Sequence, residues 1–209
     1  LPLAEKTGLI IPIGNWVIDE ACRQLREWHL QGHTDWSMAV NLSTLQFEQP
    51  SLVKTVLDCL TRHSVPPGML ILEVTETTAM NNPDESVRVL TALTDAGVKA
   101  SIDDFGTGYS SLLYLKRLPA CELKIDRAFV KELSGESEDA TIVSAIVALA
   151  KTLNLKVVAE GVETAAQQTF LTELGCNTLQ GYLLGKPITA QAIMEQCQHG
   201  EMSPPRAQS

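Results

Sequence analysis

No stretch of this 209-residue chain is apolar for long enough to cross a membrane as a helix. The longer apolar runs, such as Ile142 to Ala150, are interrupted by Ser144 and bounded by charge, so no direct membrane insertion is expected. The opening Leu1-Pro2-Leu3-Ala4-Glu5-Lys6 has neither the basic nor the long apolar region of a signal peptide, and no initiator Met, so a longer parent chain is expected. Clusters of Lys and Arg are missing as well. With a formal net charge of -9, the chain is a poor candidate for gripping DNA or long RNA through their phosphates, although an acidic protein can still hold phosphate through metal ions.

Paired cysteines are also absent. Cys22, Cys59, Cys121, Cys176 and Cys197 stand singly, without a C-x-x-C motif and in odd number, which excludes a recognisable zinc or disulfide framework and suggests a reducing, cytoplasmic setting. His29, His33, His63 and His199 show no metal-ligand spacing and read as surface residues. Any metal in this protein is therefore expected to have oxygen ligands.

What the chain does have is 44% apolar content, enough for one substantial core. One domain is expected over residues 1–199, followed by a disordered tail at 200–209 that contains Pro204 and Pro205 and little to bury. Short β-rich runs alternate with segments of helical period, the pattern of a parallel α/β sheet. Strands are predicted at Met38–Leu42, Leu70–Thr75, Ala100–Asp103, Leu123–Ile125, Val157–Ala159 and Thr178–Gly181. Six strands fall two short of a closed (β/α)8 barrel, and the pattern alone leaves open a doubly wound sheet.

The helices carry their own punctuation. Asn82 and Pro83 mark an N-terminus, Val87, Leu90 and Leu93 line one face, and Gly97 marks the end. Thr164 and Gln167 form a capping-box pattern that runs to Gly175. Residues Asp139 to Asn154 repeat apolar side chains at helical spacing and read as a core helix without chemistry.

Each predicted strand ends in a polar or charged residue: Asn41, Glu73 with Glu76, Asp103 with Asp104, Lys124 with Asp126, Glu160, and Gln180. The C-terminal edge of a parallel sheet is where sites are built, so these six positions should share one rim. Adjacent Asp103 and Asp104 repel each other unless a cation intervenes, and with Glu73, Glu160 and the Asn41 amide they make an oxygen-rich, histidine-free set suited to Mg2+ or Mn2+. Two such ions could orient a phosphodiester and activate water, with Lys124 adding a fixed positive charge. Blander readings exist for each residue alone. Asp103 and Asp104 could cap a helix starting near Ser110, Lys124 and Asp126 could form a rim ion pair, Asn41 could sit in a turn, and Gln180 could be a satisfied amide.

These residues also resemble a known family. Asn41-Leu42-Ser43, Glu73-Val74-Thr75-Glu76, Asp103-Asp104-Phe105-Gly106-Thr107-Gly108, Lys124-Ile125-Asp126, Ala159-Glu160-Gly161-Val162-Glu163 and Gln180-Gly181-Tyr182 resemble EAL domains. The resemblance implies a modified (β/α)8 barrel that hydrolyses cyclic di-GMP to linear pGpG with Mg2+ or Mn2+. It implies that Asn41, Glu73 and Asp103 hold one metal and that Asp103 and Asp104 hold a second, with Glu160 and Lys124 handling the catalytic water. Glu76 is similar to a residue that anchors the loop beginning at Asp104, while Glu163 and Gln180 resemble outer members that support ligands or touch nucleotide. A homodimer, and sensory or diguanylate cyclase domains upstream in a parent protein that could itself be membrane-anchored, are further implications.

The chain departs from the family pattern in carrying no Glu-Ala-Leu tripeptide. By the resemblance, that metal-binding strand is expected before Pro2, so the barrel here is expected to be incomplete at its N-terminus, with about six of eight strands. An open barrel edge is then expected to promote association or reduce stability, and turnover by these residues alone is expected to be weak. Two non-enzymatic readings stand beside hydrolysis: a receptor that binds cyclic di-GMP without cleaving it, and a scaffold fragment that recruits a partner strand.

Overall fold

The computed structural model describes residues 2–108, 112–133 and 137–198. The chain enters through α1 (Pro2–Thr7) and α2 (Ile10–Leu30), then alternates: β1 (Met38–Asn41), α3 (Thr44–Phe47), α4 (Leu52–His63), β2 (Leu70–Thr75), α5 (Glu76–Asn81), α6 (Pro83–Asp95). It continues with β3 (Lys99–Phe105), α7 (Leu112–Leu115), β4 (Glu122–Ile125), α8 (Arg127–Lys131), α9 (Glu138–Thr152), β5 (Lys156–Ala159), α10 (Ala165–Leu174), β6 (Thr178–Leu179) and α11 (Ala190–Gln198). No helix among the described residues is long and apolar enough to span a membrane.

All strand pairings are parallel and the sheet order is sequential, β1 to β6. Parallel neighbours need a crossover, and the intervening helices supply it on one side of the sheet. The result is a half-barrel, an incomplete (β/α)8 arrangement, which settles in favour of the barrel the choice that periodicity left open.

Side chains alternate across a strand, so the register divides the sheet into two faces of opposite character. On the outer face Val40, Leu72 and Ala100 stand in one row, Ile102, Leu123 and Val157 in the next, and Ile125 beside Ala159 in a third. All are buried against Leu90 and Leu93 of α6, Val143 and Val147 of α9, and Leu171 of α10. Each fully buried Leu or Ile contributes about 1.5–3 kcal/mol. On the inner face the rows are polar: Asn41, Glu73, Ser101, Glu122 and Lys156 in one, with Thr75 beside Asp103 above it. One face of the sheet makes the core; the other carries chemistry.

The helix boundaries follow their caps. Asn82 accepts from the Glu85 amide and Pro83 begins α6, with Gly97 at φ +91 after its end. Thr164 and Gln167 form the expected capping box, and Gly175 at φ +93 closes α10. Several predicted boundaries change: β1 ends one residue earlier, at Asn41, and β3, β4 and β5 each begin one residue earlier, at Lys99, Glu122 and Lys156. The last strand stops at Leu179, because Gly181 presses on the loop that follows β5 so closely that a Cβ there would lie 2.1 Å from the Val162 carbonyl oxygen. The third strand runs on to Phe105 through an irregularity between Ile102 and Phe105. The core helix α9 stops at Thr152, and Asn154 beyond it turns left-handed at φ +58. The tail at 200–209 and Ser110 lie outside the described residues.

Candidate active site on the C-terminal rim

Asp103 and Lys124 stand on the polar face near the ends of β3 and β4, and Glu73 two residues before the end of β2. Glu160 is the first residue beyond β5, held there by its own amide donating to the Ile125 carbonyl at 3.2 Å. These four side chains meet. The Lys124 ammonium lies 2.7 Å from Glu160 Oε1, 2.9 Å from Glu73 Oε2 and 3.2 Å from Asp103 Oδ1. Its three protons thus face three carboxylates from three strands. Lys124 pairs with none of its chain neighbours, so the alternative of a Lys124–Asp126 rim pair does not hold; Asp126 instead caps α8 by accepting from the Ala128 amide at 2.8 Å.

Burial disfavours a charged Lys124, but hydrogen bonds to Glu160 and Glu73 outweigh it and hold the ammonium's pKa above the ordinary lysine value. Burial also raises the Glu73 pKa, against the opposing hydrogen bond and charge of Lys124. Asp104 is raised as well, by burial first, then by the charge of Asp103 and by its contact with Asp126. A region where carboxylates are pushed toward protonation by one another is a region that favours an added cation.

Asp104 sits in the strand irregularity at φ +54, a left-handed conformation rare outside glycine. That turn of the backbone brings its carboxylate back toward its neighbours, and its amide donates to Asp103 Oδ1 at 2.9 Å. The alternative in which the two aspartates cap a helix near Ser110 falls outside the described residues. One oxygen each of Asp103, Asp104 and Glu160 lie within 4.8 Å of one another. This oxygen-only set fits a hard divalent cation.

The remaining sequence-derived residues lie around this centre. Asn41 ends β1 directly beside Glu73 and is exposed. Glu76, buried at the start of α5, accepts from the Gly106 amide at 2.7 Å and the Gly108 amide at 3.4 Å, so it fastens the loop that follows Asp104. Gln180 and Glu163 are exposed, and neither side chain pairs with the central carboxylates; their backbones do the bonding, Gln180 with Ala159 and Val162, Glu163 with Gln167.

Two residues named in the sequence analysis without a role at this centre also contribute. Asp126, expected on the rim beside Lys124, touches the Asp104 carboxyl. Gly161, at φ +74, lets the loop after Glu160 lie on α8: a Cβ there would come within 2.6 Å of the Arg127 Cβ. A glycine directly after a rim carboxylate was the available signal.

Comparison with known proteins now adds to this geometry. The EAL domain model matches residues 1–187. The bifunctional diguanylate cyclase/cyclic di-GMP phosphodiesterase MucR of Pseudomonas aeruginosa is 66% identical over 194 residues, covering 93% of this chain and 28% of that protein. The cyclic di-GMP phosphodiesterase NbdA of the same organism is 46% identical over 193 residues, covering 92% and 25%. The chain thus spans about a quarter of the length of these relatives. Among solved structures, a PaMucR phosphodiesterase in complex with c-di-GMP superposes with a TM-score of 0.90 at 66% identity, covering 92% of this chain and 78% of that one. A manganese/cyclic di-GMP complex of Klebsiella pneumoniae BlrP1 superposes with a TM-score of 0.67 at 35% identity, covering 74% and 40%.

Proposed function

The chain belongs to the EAL domain family, and from that premise we propose that it hydrolyses cyclic di-GMP to linear pGpG at the rim formed by Glu73, Asp103, Asp104, Lys124 and Glu160. The single observation that carries this reading is the buried Lys124 ammonium bound to three carboxylates beside a fourth, Asp104. The named activity of MucR and NbdA and the c-di-GMP in the PaMucR complex support the choice of substrate.

Two Mg2+ or Mn2+ ions fit the reading, one on Asn41, Glu73 and Asp103 and one on Asp103 and Asp104. Such ions, when bound, polarise the phosphodiester and acidify the attacking water. The manganese in the BlrP1 complex supports the metal class. The chain's own residues do the rest. One Glu160 oxygen is engaged by Lys124, which leaves the other to take a proton from the attacking water. As the water oxygen bonds to phosphorus, the bond from phosphorus to the ribose 3′-oxygen breaks and the departing oxygen takes a proton from solvent, giving a 5′-phosphomonoester and a 3′-hydroxyl. Lys124 holds Glu160 in place and offsets the negative charge that grows on the phosphoryl oxygens. Glu76 keeps Asp104 in its left-handed geometry through the loop amides, and Gln180 and Glu163 lie where they could meet the nucleotide's outer parts.

The proposal extends to the chain's surroundings. A single domain over 1–199, a homodimer, a cytoplasmic setting and partner domains in a longer protein all suit the family. Exposed Leu112 and Leu113 on α7, next to the Asp104 loop, support pairing through that face. The five free cysteines support a reducing compartment. Since the sequence contains no Glu-Ala-Leu tripeptide, the proposal includes slow turnover by these 209 residues alone.

Incubation of cyclic di-GMP with the purified chain and Mg2+ or Mn2+, followed by chromatography, tests the reading. Appearance of pGpG that stops when EDTA is added supports it. Tight binding with intact nucleotide at every metal concentration would replace it with the receptor reading.

A further inference from the structure

Gln167 has so far been a capping residue of α10, yet its side chain does more than close a helix. It is buried, and its amide makes four hydrogen bonds to two different segments. Oε1 accepts from the Glu163 amide at 2.8 Å and the Thr164 amide at 2.9 Å. Nε2 donates to the Val130 carbonyl at 3.0 Å and the Lys131 carbonyl at 3.3 Å, at the C-terminal end of α8. All the hydrogen-bonding capacity of the amide is used.

Those two segments both matter to the rim. The first is the loop that begins with Glu160; the second is the helix that starts right after Lys124 and Asp126. Gly161 lets the loop lie flat on the first turn of α8 at Arg127, and Gln167 fastens the far end of the loop to the last turn of the same helix. The loop is thus held against α8 at both of its ends. The 2.7 Å contact between Lys124 and Glu160 lies at the open side of this frame.

We propose that Gln167 is a positioning residue for Glu160: its buried amide braces the 160–164 loop on α8 and so fixes the Glu160 carboxylate against Lys124, Asp103 and Asp104. The inference rests on the proposed site for its relevance to catalysis. A chain with the loop released would keep its fold but hold Glu160 loosely, and a cation on Asp103 and Asp104 would lose the support of the Glu160 carboxylate, one oxygen of which lies within 4.8 Å of theirs. The amide serves both sides: Oε1 is the acceptor for the Glu163 and Thr164 amides, and Nε2 is a further donor to the Val130 carbonyl, which also accepts from the Leu133 amide at 3.3 Å.

Gln167→Met keeps the length and apolar bulk of the side chain and removes all four bonds. Leu171→Ala, one turn further along α10 and fully buried with an apolar side chain, serves as a control for general destabilisation. Mn2+ affinity measured by electron paramagnetic resonance should fall about tenfold or more in Gln167→Met, and stay within about twofold of wild type in Leu171→Ala. Backbone hydrogen exchange at Glu163 and Thr164 should accelerate at least tenfold in Gln167→Met relative to the strands. Unchanged exchange at these amides overturns the brace, and accelerated exchange with unchanged Mn2+ affinity overturns its role in placing Glu160. If the wild-type chain binds no Mn2+, the metal-dependent function falls and with it the catalytic role, while the exchange experiment still decides whether Gln167 holds the loop.

Discussion

The Lys124 ammonium sits 2.7 Å from the Glu160 carboxylate, one from the interior of β4 and the other just past the end of β5. Register places the two there. Ile125 pairs with Ala159, and the Glu160 amide reaches back to the Ile125 carbonyl, so the residues on either side lock the pair into facing positions. Lys124 closes a ring of carboxylates that would otherwise repel one another, and several measurable consequences follow from that one cation.

Replacing Lys124 with Met removes the cation and leaves Glu73, Asp103 and Glu160 facing each other in a buried setting. Removing one partner of a buried pair typically costs about 3–5 kcal/mol, which for a domain of this size is a fall in Tm of roughly 10 °C. Thermal melts in EDTA should show this loss. Added Mn2+ should raise the Tm of Lys124→Met by more than it raises that of wild type, since the ion supplies the missing charge. A variant that melts with wild type in EDTA would contradict the ring.

Asp104→Asn should do the opposite. The folded-state pKa of Asp104 is raised by burial, by Asp103 and by Asp126. Its contribution to stability is therefore present below the unfolded value, and it is lost as pH rises through the raised folded value. Neutralising it should stabilise the metal-free protein at pH 7. The Tm difference between variant and wild type in EDTA should grow from acid toward neutral pH, while Mn2+ binding weakens. A difference that stays flat or reverses across that range would remove the repulsion from the account.

Much of this was legible in the sequence because it depends on local signals. Strand positions followed from β-branched runs, and Asn82, Thr164 and Gln167 marked helix starts through capping chemistry that needs only three or four residues. Glu73, Asp103, Asp104, Lys124 and Glu160 were visible as strand-end polar residues, since a parallel sheet puts all such ends on one rim. What the sequence could not give was which of them touch. That Lys124 pairs across strands with residues 51 and 36 positions away, and not with Asp126, depends on inter-strand register. The early end of β6 depends on Gly181 meeting the Val162 backbone, a contact between distant segments.

Glu76→Ala probes the loop beyond Asp104. The buried carboxylate accepts the Gly106 and Gly108 amides, and its loss leaves two donors without a partner. A local cost of about 1–3 kcal/mol is expected. Hydrogen exchange at Gly106 should accelerate ten- to a hundredfold while the amides of β2 and β4 keep their protection. Equal acceleration throughout would mean that Glu76 supports the fold as a whole and not this loop.

The central claim is that Glu160, held by Lys124, moves the proton in phosphodiester hydrolysis while the rest of the rim binds. Its most direct test compares wild type with Glu160→Gln, both shown to be folded, in parallel assays of cyclic di-GMP affinity with Ca2+ and pGpG formation with Mn2+. The account predicts nucleotide affinity within a few-fold of wild type and a loss of turnover of at least a hundredfold. Retention of turnover in Glu160→Gln would contradict it.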